Sequence, residues 1–112
     1  MPRSAAELDS TFARLEKVEG LLHLVNAVDA WDARQHARAG KELQHAADNL
    51  ERGARRVHLE LDSAAAGAAA NARATARRLQ QSDELGADEF WQATDKLDAA
   101  LRSLGARIGR KI

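Results

Sequence analysis

Glu42 and His45 form a Glu-x-x-His step, a spacing that metal-binding helices use. A carboxylate and an imidazole three residues apart share one helix face, and di-iron bundles combine two such steps with two more inward-facing glutamates. This sequence contains a single copy, and the apolar pattern around it puts Leu43 inside the fold and His45 on its outer surface. The step alone therefore predicts a solvated pair of side chains.

A helical hairpin centred near residue 30 would bring more potential ligands to the same region. It would pair His23 with His36, Glu19 with Glu42, and Glu16 with His45. Imidazoles and carboxylates suit zinc, nickel, copper or iron when they converge on one point. An alternative function is therefore a metal site on this hairpin, with these predicted ligands: His23, His36, Glu19, Glu42 and His45. The simpler interpretation gives His36 a packing role and leaves the other four in solvent.

Haem, with His36 as its axial ligand, does not suit this chain. Haem needs a wide apolar pocket, whereas an alanine-rich seam draws helices close together. The sequence also lacks the Cys-x-x-Cys-His attachment motif, because it contains no cysteine. We expect no cofactor.

Two groups of arginines point to a different chemistry, the binding of anions. The groups are Arg52, Arg55 and Arg56, and Arg73, Arg77 and Arg78. If the chain turns at residues 62–66, Arg52 meets Arg77 and Arg55 meets Arg73, and these four form an anion or phosphate site. In one continuous helix the two groups lie about 21 residues, or roughly 30 Å, apart. Nucleic acid is disfavoured as a ligand, because the net charge is zero and no aromatic residue interleaves with the arginines.

Motifs typical of catalysis are missing from the sequence. It has no cysteine for thiol chemistry, no Gly-x-Ser-x-Gly nucleophile elbow and no phosphate-binding glycine loop. The serines have no histidine at a position that the expected helix pairing would bring to them. We therefore predict that the protein is not an enzyme.

The elements that must position all these residues are helices. Alanine supplies 25 of the 50 hydrophobic residues, tyrosine is absent, and the only proline is Pro2. Alanine is the best helix former, and the β-branched residues that favour strands are few. The chain is therefore predicted to be all-α, an antiparallel helical bundle that forms a single domain over residues 1–112 with a thin core.

The first predicted helix begins at a capping box and ends near Val28. Ser4 and Glu7 have the spacing in which each side chain accepts a hydrogen bond from a free backbone N–H. Apolar residues at steps of three and four then mark one face, which we call the N-terminal stripe and expect to face the core. The stripe consists of Leu8, Phe12, Leu15, Val18, Leu22 and Val25. Residues 29–32 predict a tight connection, with Asp32 as the next N-cap and Trp31 packed on His36.

The second predicted helix carries a regular seam of His36, Gly40, Leu43, Ala47, Leu50, Ala54, Val57 and Leu61. No glycine or proline ends this seam before Asp62 and Ser63, so we favour one long helix over residues 32–84, interrupted only by the weak breaker Gly67. In the alternative, Asp62 and Ser63 cap a third helix and the chain is a monomeric four-helix bundle. The last helix, capped by Asp88 after a stop at Gly86, carries Phe90, Thr94, Leu97, Leu101, Leu104 and Ile108.

A long central helix would leave apolar seams uncovered, and an antiparallel homodimer with two four-helix lobes would cover them. The leading hypothesis is therefore a non-enzymatic interaction or structural protein that acts by self-association or by binding a partner protein. The sequence shows neither a signal-peptide core nor an apolar run long enough to span a membrane. We expect a cytoplasmic protein, or a periplasmic one if a signal peptide was removed.

Overall fold

The computed structural model describes residues 4–81 and 86–111, and it confirms an all-α antiparallel bundle. The helices are α1 (Ala5–Asp32), α2 (His36–Arg56), α3 (Ser63–Gln80) and α4 (Ala87–Lys111). Helices α2 and α4 contact each other and lie between α1 and α3. Within the described ranges, no helix has an apolar stretch that could cross a membrane.

The connection between α1 and α2 lies later than predicted. Helix α1 continues through residues 29–32, so Asp32 is its last residue and does not cap α2. It ends where Arg34 takes a left-handed conformation with φ 61°. The N–H of Gln35 then donates to the carbonyl of Ala30 at 2.8 Å, and that of Arg34 donates to Trp31 at 3.0 Å. These are the two hydrogen bonds of a Schellman motif, which satisfies the last carbonyls of a helix.

The favoured long helix over residues 32–84 is wrong, and the four-helix alternative is the observed architecture. A second Schellman motif ends α2: His58 is left-handed with φ 55°, and the N–H of Leu59 donates to the carbonyl of Ala54 at 2.9 Å. Asp62 then caps α3, its Oδ1 accepting from the N–H of Ala65 at 2.8 Å. The turn escaped prediction because the left-handed position, usually glycine, is a histidine.

The start of α4 also differs slightly from the prediction. Helix α3 ends at Gln80, so Gly86 does not terminate it. Helix α4 begins at Ala87, and the carbonyl of Gly86 accepts from the N–H of Phe90 at 3.3 Å, so Asp88 lies inside the first turn. The predicted connection includes residues 82–85, which lie outside the described residues.

The core contains few large side chains and many alanines, as the composition predicts. Among the described residues, the largest fully buried apolar side chains are Phe90, Leu43, Leu50, Leu79, Leu97, Leu101 and Ile108. The predicted inward face of α4 is buried along its whole length, and most of the α2 seam is buried as well. Small residues let the backbones approach: a Cβ on Gly40 would lie 2.8 Å from the carbonyl oxygen of Ala76 in α3. Large residues from α2 and α4 therefore fill the space that the small residues leave.

Candidate functional site

The N-terminal stripe faces away from the bundle, so its predicted role in the core is wrong. Its six residues are between 43% and 57% exposed. The face of α1 that packs against α2 and α4 instead carries Ala13, Gly20, Leu24, Ala27 and Ala30. Small side chains occupy this face because α1 lies very close to its neighbours: a Cβ on Gly20 would lie 2.8 Å from Cδ2 of Leu101. A larger residue there would push α1 off the bundle.

The exposed stripe has the heptad spacing of a helix that pairs with another helix. Leu8, Leu15 and Leu22 repeat every seven residues, and Thr11, Val18 and Val25 follow each leucine by three. These are the a and d positions of a coiled coil. Phe12 lies beside the seam, and the guanidinium carbon of Arg56 lies 5.1 Å from the centre of its ring. Helix α1 therefore has one seam inside the bundle and a second seam outside it.

A sequence signal for the true orientation of α1 exists. Ala13, Gly20 and Ala27 also repeat every seven residues, on the side of the helix opposite the large residues. In a chain whose other helices are alanine-rich, this small-residue face is the one suited to close packing. The prediction took the larger residues to be the buried ones, which is the usual rule for a surface helix.

The predicted metal ligands divide between three places along the first hairpin. His23 Nδ1 lies 2.5 Å from Glu42 Oε2, and the rings of His23 and His45 are 5.1 Å apart between centroids. Glu19 contacts Asn49 instead of Glu42, with 3.4 Å between its Oε2 and Nδ2 of Asn49. Among the described residues, no group of three His, Cys, Asp or Glu side chains could hold a metal ion.

His36 lies at the end of the hairpin, stacked on Trp31 with ring centroids 4.9 Å apart. Trp31 stacks in turn on Phe90 at 4.3 Å. The predicted contact of Trp31 with His36 is confirmed, whereas the predicted pairs of His23 with His36, Glu19 with Glu42 and Glu16 with His45 are wrong. The longer α1 moves the turn to residues 33–35, and this shifts every pair across the hairpin.

A polar cluster that the sequence analysis missed joins α1 to α2. Asn49 is 1% exposed, and its Nδ2 donates to Oε2 of Glu16 at 3.2 Å and less closely to Glu19. The Nε of Arg52 donates to the same Glu16 oxygen at 2.9 Å. The Oδ1 of Asn49 is buried and accepts no hydrogen bond from the described part of the chain. These contacts are specific to one register of α1 on α2.

The arginines of α2 and α3 do not pair as predicted, because the chain turns at residues 57–62 instead of 62–66. Arg73 meets carboxylates instead of Arg55, donating to Glu51 Oε1 at 2.5 Å and Asp48 Oδ1 at 2.7 Å. The hydrogen bond to Glu51, helped by Asp48, raises the pKa of Arg73 against the opposing effect of burial. Arg52 contacts Glu16 on α1, while Arg55 and Arg77 are exposed. Acidic partners therefore compensate Arg52 and Arg73.

No family model, curated protein or solved structure matches this chain.

Proposed function

We propose that this chain is a non-enzymatic interaction protein that works by pairing the N-terminal stripe with a helix, either from another copy or from a partner protein. The observation that carries the proposal is the exposure of six large apolar residues on a single face of α1, five of them at heptad positions and Phe12 beside them. Helix pairs recognise each other through this kind of seam. The missing catalytic motifs and cysteines agree with a binding role.

The size of the exposed surface supports the same proposal. Six side chains that are each about half exposed present roughly 500 Å² of apolar surface, while the largest apolar patch on a typical monomer is about 300–600 Å² and is often functional. Scattered single apolar residues are common on protein surfaces. A continuous row of this length on an otherwise charged chain favours a surface that is covered when the protein works.

A photo-crosslinking amino acid introduced at Val18, in cells that make the protein, tests the proposal. Val18 lies in the middle of the stripe and is 54% exposed, so the replacement leaves the core unchanged. We expect a discrete adduct, either with another copy or with one partner. The adduct should disappear when Leu15→Gln and Leu22→Gln are added, because these changes make the seam polar.

Ser103, an exposed residue of α4, is the matched control position for the crosslinker. It should give no discrete adduct. The same adducts from Val18 and Ser103, or an adduct that persists after both glutamine substitutions, would show that the stripe is not the binding surface. Circular dichroism spectra of all variants should remain helical, which separates loss of binding from loss of the fold.

A further inference from the structure

We infer that the partner of the N-terminal stripe is a second copy of this chain, whose own stripe lies antiparallel to the first. The inference rests on the proposed function and adds the identity and direction of the bound helix. In this arrangement Leu8 lies opposite the partner's Val25, and Leu15 lies opposite the partner's Val18. Leu22 lies opposite the partner's Thr11, and a two-fold axis passes between Leu15 and Val18.

The layers of this antiparallel seam are evenly filled. Each layer consists of two facing residues, one from each copy. All six layers pair a leucine with a β-branched residue, so no layer is much larger or smaller than its neighbours. A parallel pair would stack leucine on leucine and valine on valine. Leucine at a with a β-branched residue at d favours parallel assemblies of more than two helices, so the order of residues suits an antiparallel pair better.

Charge along the seam gives a second argument for the antiparallel direction. Asp29 is exposed and continues the seam beyond Val25. In a parallel pair Asp29 would meet its own copy, and the two carboxylates would repel each other. In the antiparallel pair Asp29 lies next to the partner's Ser4, at the start of the partner's α1, where the helix dipole and free N–H groups favour a negative charge.

The sides of the seam are also complementary in the antiparallel direction. Phe12 comes to lie opposite the partner's Glu19, and Arg56 is already held over the ring of Phe12. The guanidinium group of Arg56 therefore approaches a carboxylate of the other copy, and the two-fold axis repeats this pair. Complementary charges of this kind align two surfaces and exclude other registers.

The buried area is sufficient for a stable dimer. Two stripes together remove roughly 1,000 Å² of apolar surface from water, and the flanking polar residues add to this, so the total reaches the range of about 1,200–2,000 Å² found for stable interfaces. A second copy supplies the matching apolar row without any further molecule.

Disulfide trapping with two single-cysteine variants, Leu8→Cys and Val25→Cys, tests both the partner and its direction. The natural chain has no cysteine, so any disulfide comes from the introduced pair. In the antiparallel dimer Leu8 and its own copy lie about 25 Å apart along the axis, which no disulfide can bridge. We expect a covalent dimer from the mixture of the two variants under mild oxidation and little from either variant alone. Light scattering of the wild type should give twice the chain mass of 12.2 kDa.

The other outcomes overturn the inference in distinguishable ways. Efficient cross-linking of each variant with itself would show a parallel dimer. A mass of 12.2 kDa at every concentration, without cross-linking, would show that the stripe does not bind its own copy. In that case an adduct from Val18 with a different protein would still support the proposed function. A cysteine at Ser103 is the control for random collision and should give only background cross-linking.

Discussion

The side chain of Asn49 determines how α1 sits on α2. It is a polar group in an otherwise small and apolar interface, and its two donated hydrogen bonds go to the carboxylates of Glu16 and Glu19. A shift of α1 by one turn would break the hydrogen bonds between the buried amide of Asn49 and these carboxylates. The cost of an unpaired buried polar group is about 1–3 kcal/mol. Because alanines pack almost equally well in several registers, this polar contact gives the hairpin a specificity that the apolar contacts lack.

Asn49→Asp replaces the donor with an acceptor of the same shape. At neutral pH it brings a third carboxylate beside Glu16 and Glu19, and we expect the free energy of unfolding to fall by about 2 kcal/mol. The repulsion raises the pKa of the introduced aspartate in the folded state. Its destabilising effect is therefore present at pH 7 and is lost as the pH falls towards about 4, near the pKa of an unfolded aspartate.

Chemical denaturation of wild type and Asn49→Asp between pH 4 and pH 7 measures this difference. Gln44→Glu, which adds a carboxylate at an exposed position of the same helix, is the control and should cost little at either pH. A loss of stability that is equal at all pH values would mean that charge repulsion is not its cause.

At the scale of the elements, α1 and α2 each end with a left-handed residue that is not glycine. Arg34 and His58 directly follow the C-cap residues of α1 and α2, and their φ angles are 61° and 55°. For an L-residue this conformation costs roughly 1–2 kcal/mol. Both are held there by the Schellman hydrogen bonds, and after α2 also by Leu59, which packs against the core.

His58→Gly is expected to stabilise the protein. Glycine removes the strain of the left-handed conformation but adds about 0.5–1 kcal/mol of backbone entropy cost, so a net gain of about 0.5–1 kcal/mol should remain. The control is Arg55→Gly, at an exposed position in the last turn of α2, where the conformation is helical and glycine should lower stability. Thermal or chemical denaturation of both variants measures the two changes. A loss of stability in both would mean that His58 is not strained.

The start of α3 allows a proline test of the four-helix architecture. Ser63 is the first residue of the helix, and Asp62 before it has an extended backbone with φ −69° and ψ 172°. Proline suits the first helical position, and an extended residue suits the position before proline. Ser63→Pro should therefore change the free energy of unfolding by less than about 0.5 kcal/mol. Ala66→Pro is a poorer test, because the N–H of Ala66 donates to the carbonyl of Asp62 at 2.9 Å.

The matched control for Ser63→Pro is Ala70→Pro, at an exposed position in the middle of α3. There proline removes an internal hydrogen bond and clashes with the preceding turn, at a cost of about 3 kcal/mol or more. Urea denaturation of the two variants should separate them clearly. An equal loss of stability from both substitutions would indicate that α2 and α3 form one helix that runs through residue 63.

At the scale of the whole molecule, sequence patterns predicted the helices whose large residues face inward. Helix α4 satisfies this rule at every predicted position, and most of the α2 seam does as well. Helix α1 does not, because it has two seams, and the one with larger residues points outward. A rule based on hydrophobicity alone cannot separate a seam that faces the core from a seam on the outer surface.

The remaining errors come from the turns. Arg34 is not a residue type that favours a left-handed conformation, and histidine, as at His58, adopts it far less often than glycine does. A turn displaced by a few residues changes every pair of residues across a hairpin. For this reason the predicted pairings of metal ligands and of arginines were both wrong. The cluster around Asn49 was missed for the same reason, because its members come together only in the observed register.

The exposed stripe and the core should respond differently to substitution. Leu22 is 57% exposed, so Leu22→Gln removes little from the folded chain and should change its intrinsic stability by no more than about 0.5 kcal/mol. Leu101 is fully buried and contacts the site of Gly20, so Leu101→Ala should cost about 2–5 kcal/mol.

If the stripe joins two copies, the melting temperature of the wild type should rise with protein concentration, because association stabilises the folded state. Leu22→Gln should abolish that dependence, whereas Leu101→Ala should lower the melting temperature at all concentrations and keep a dependence on concentration wherever it still folds. Calorimetry over a hundredfold range of concentration measures both effects. A wild-type melting temperature that does not depend on concentration would contradict the dimer, and a large loss of stability from Leu22→Gln in dilute solution would contradict the outward orientation of the stripe.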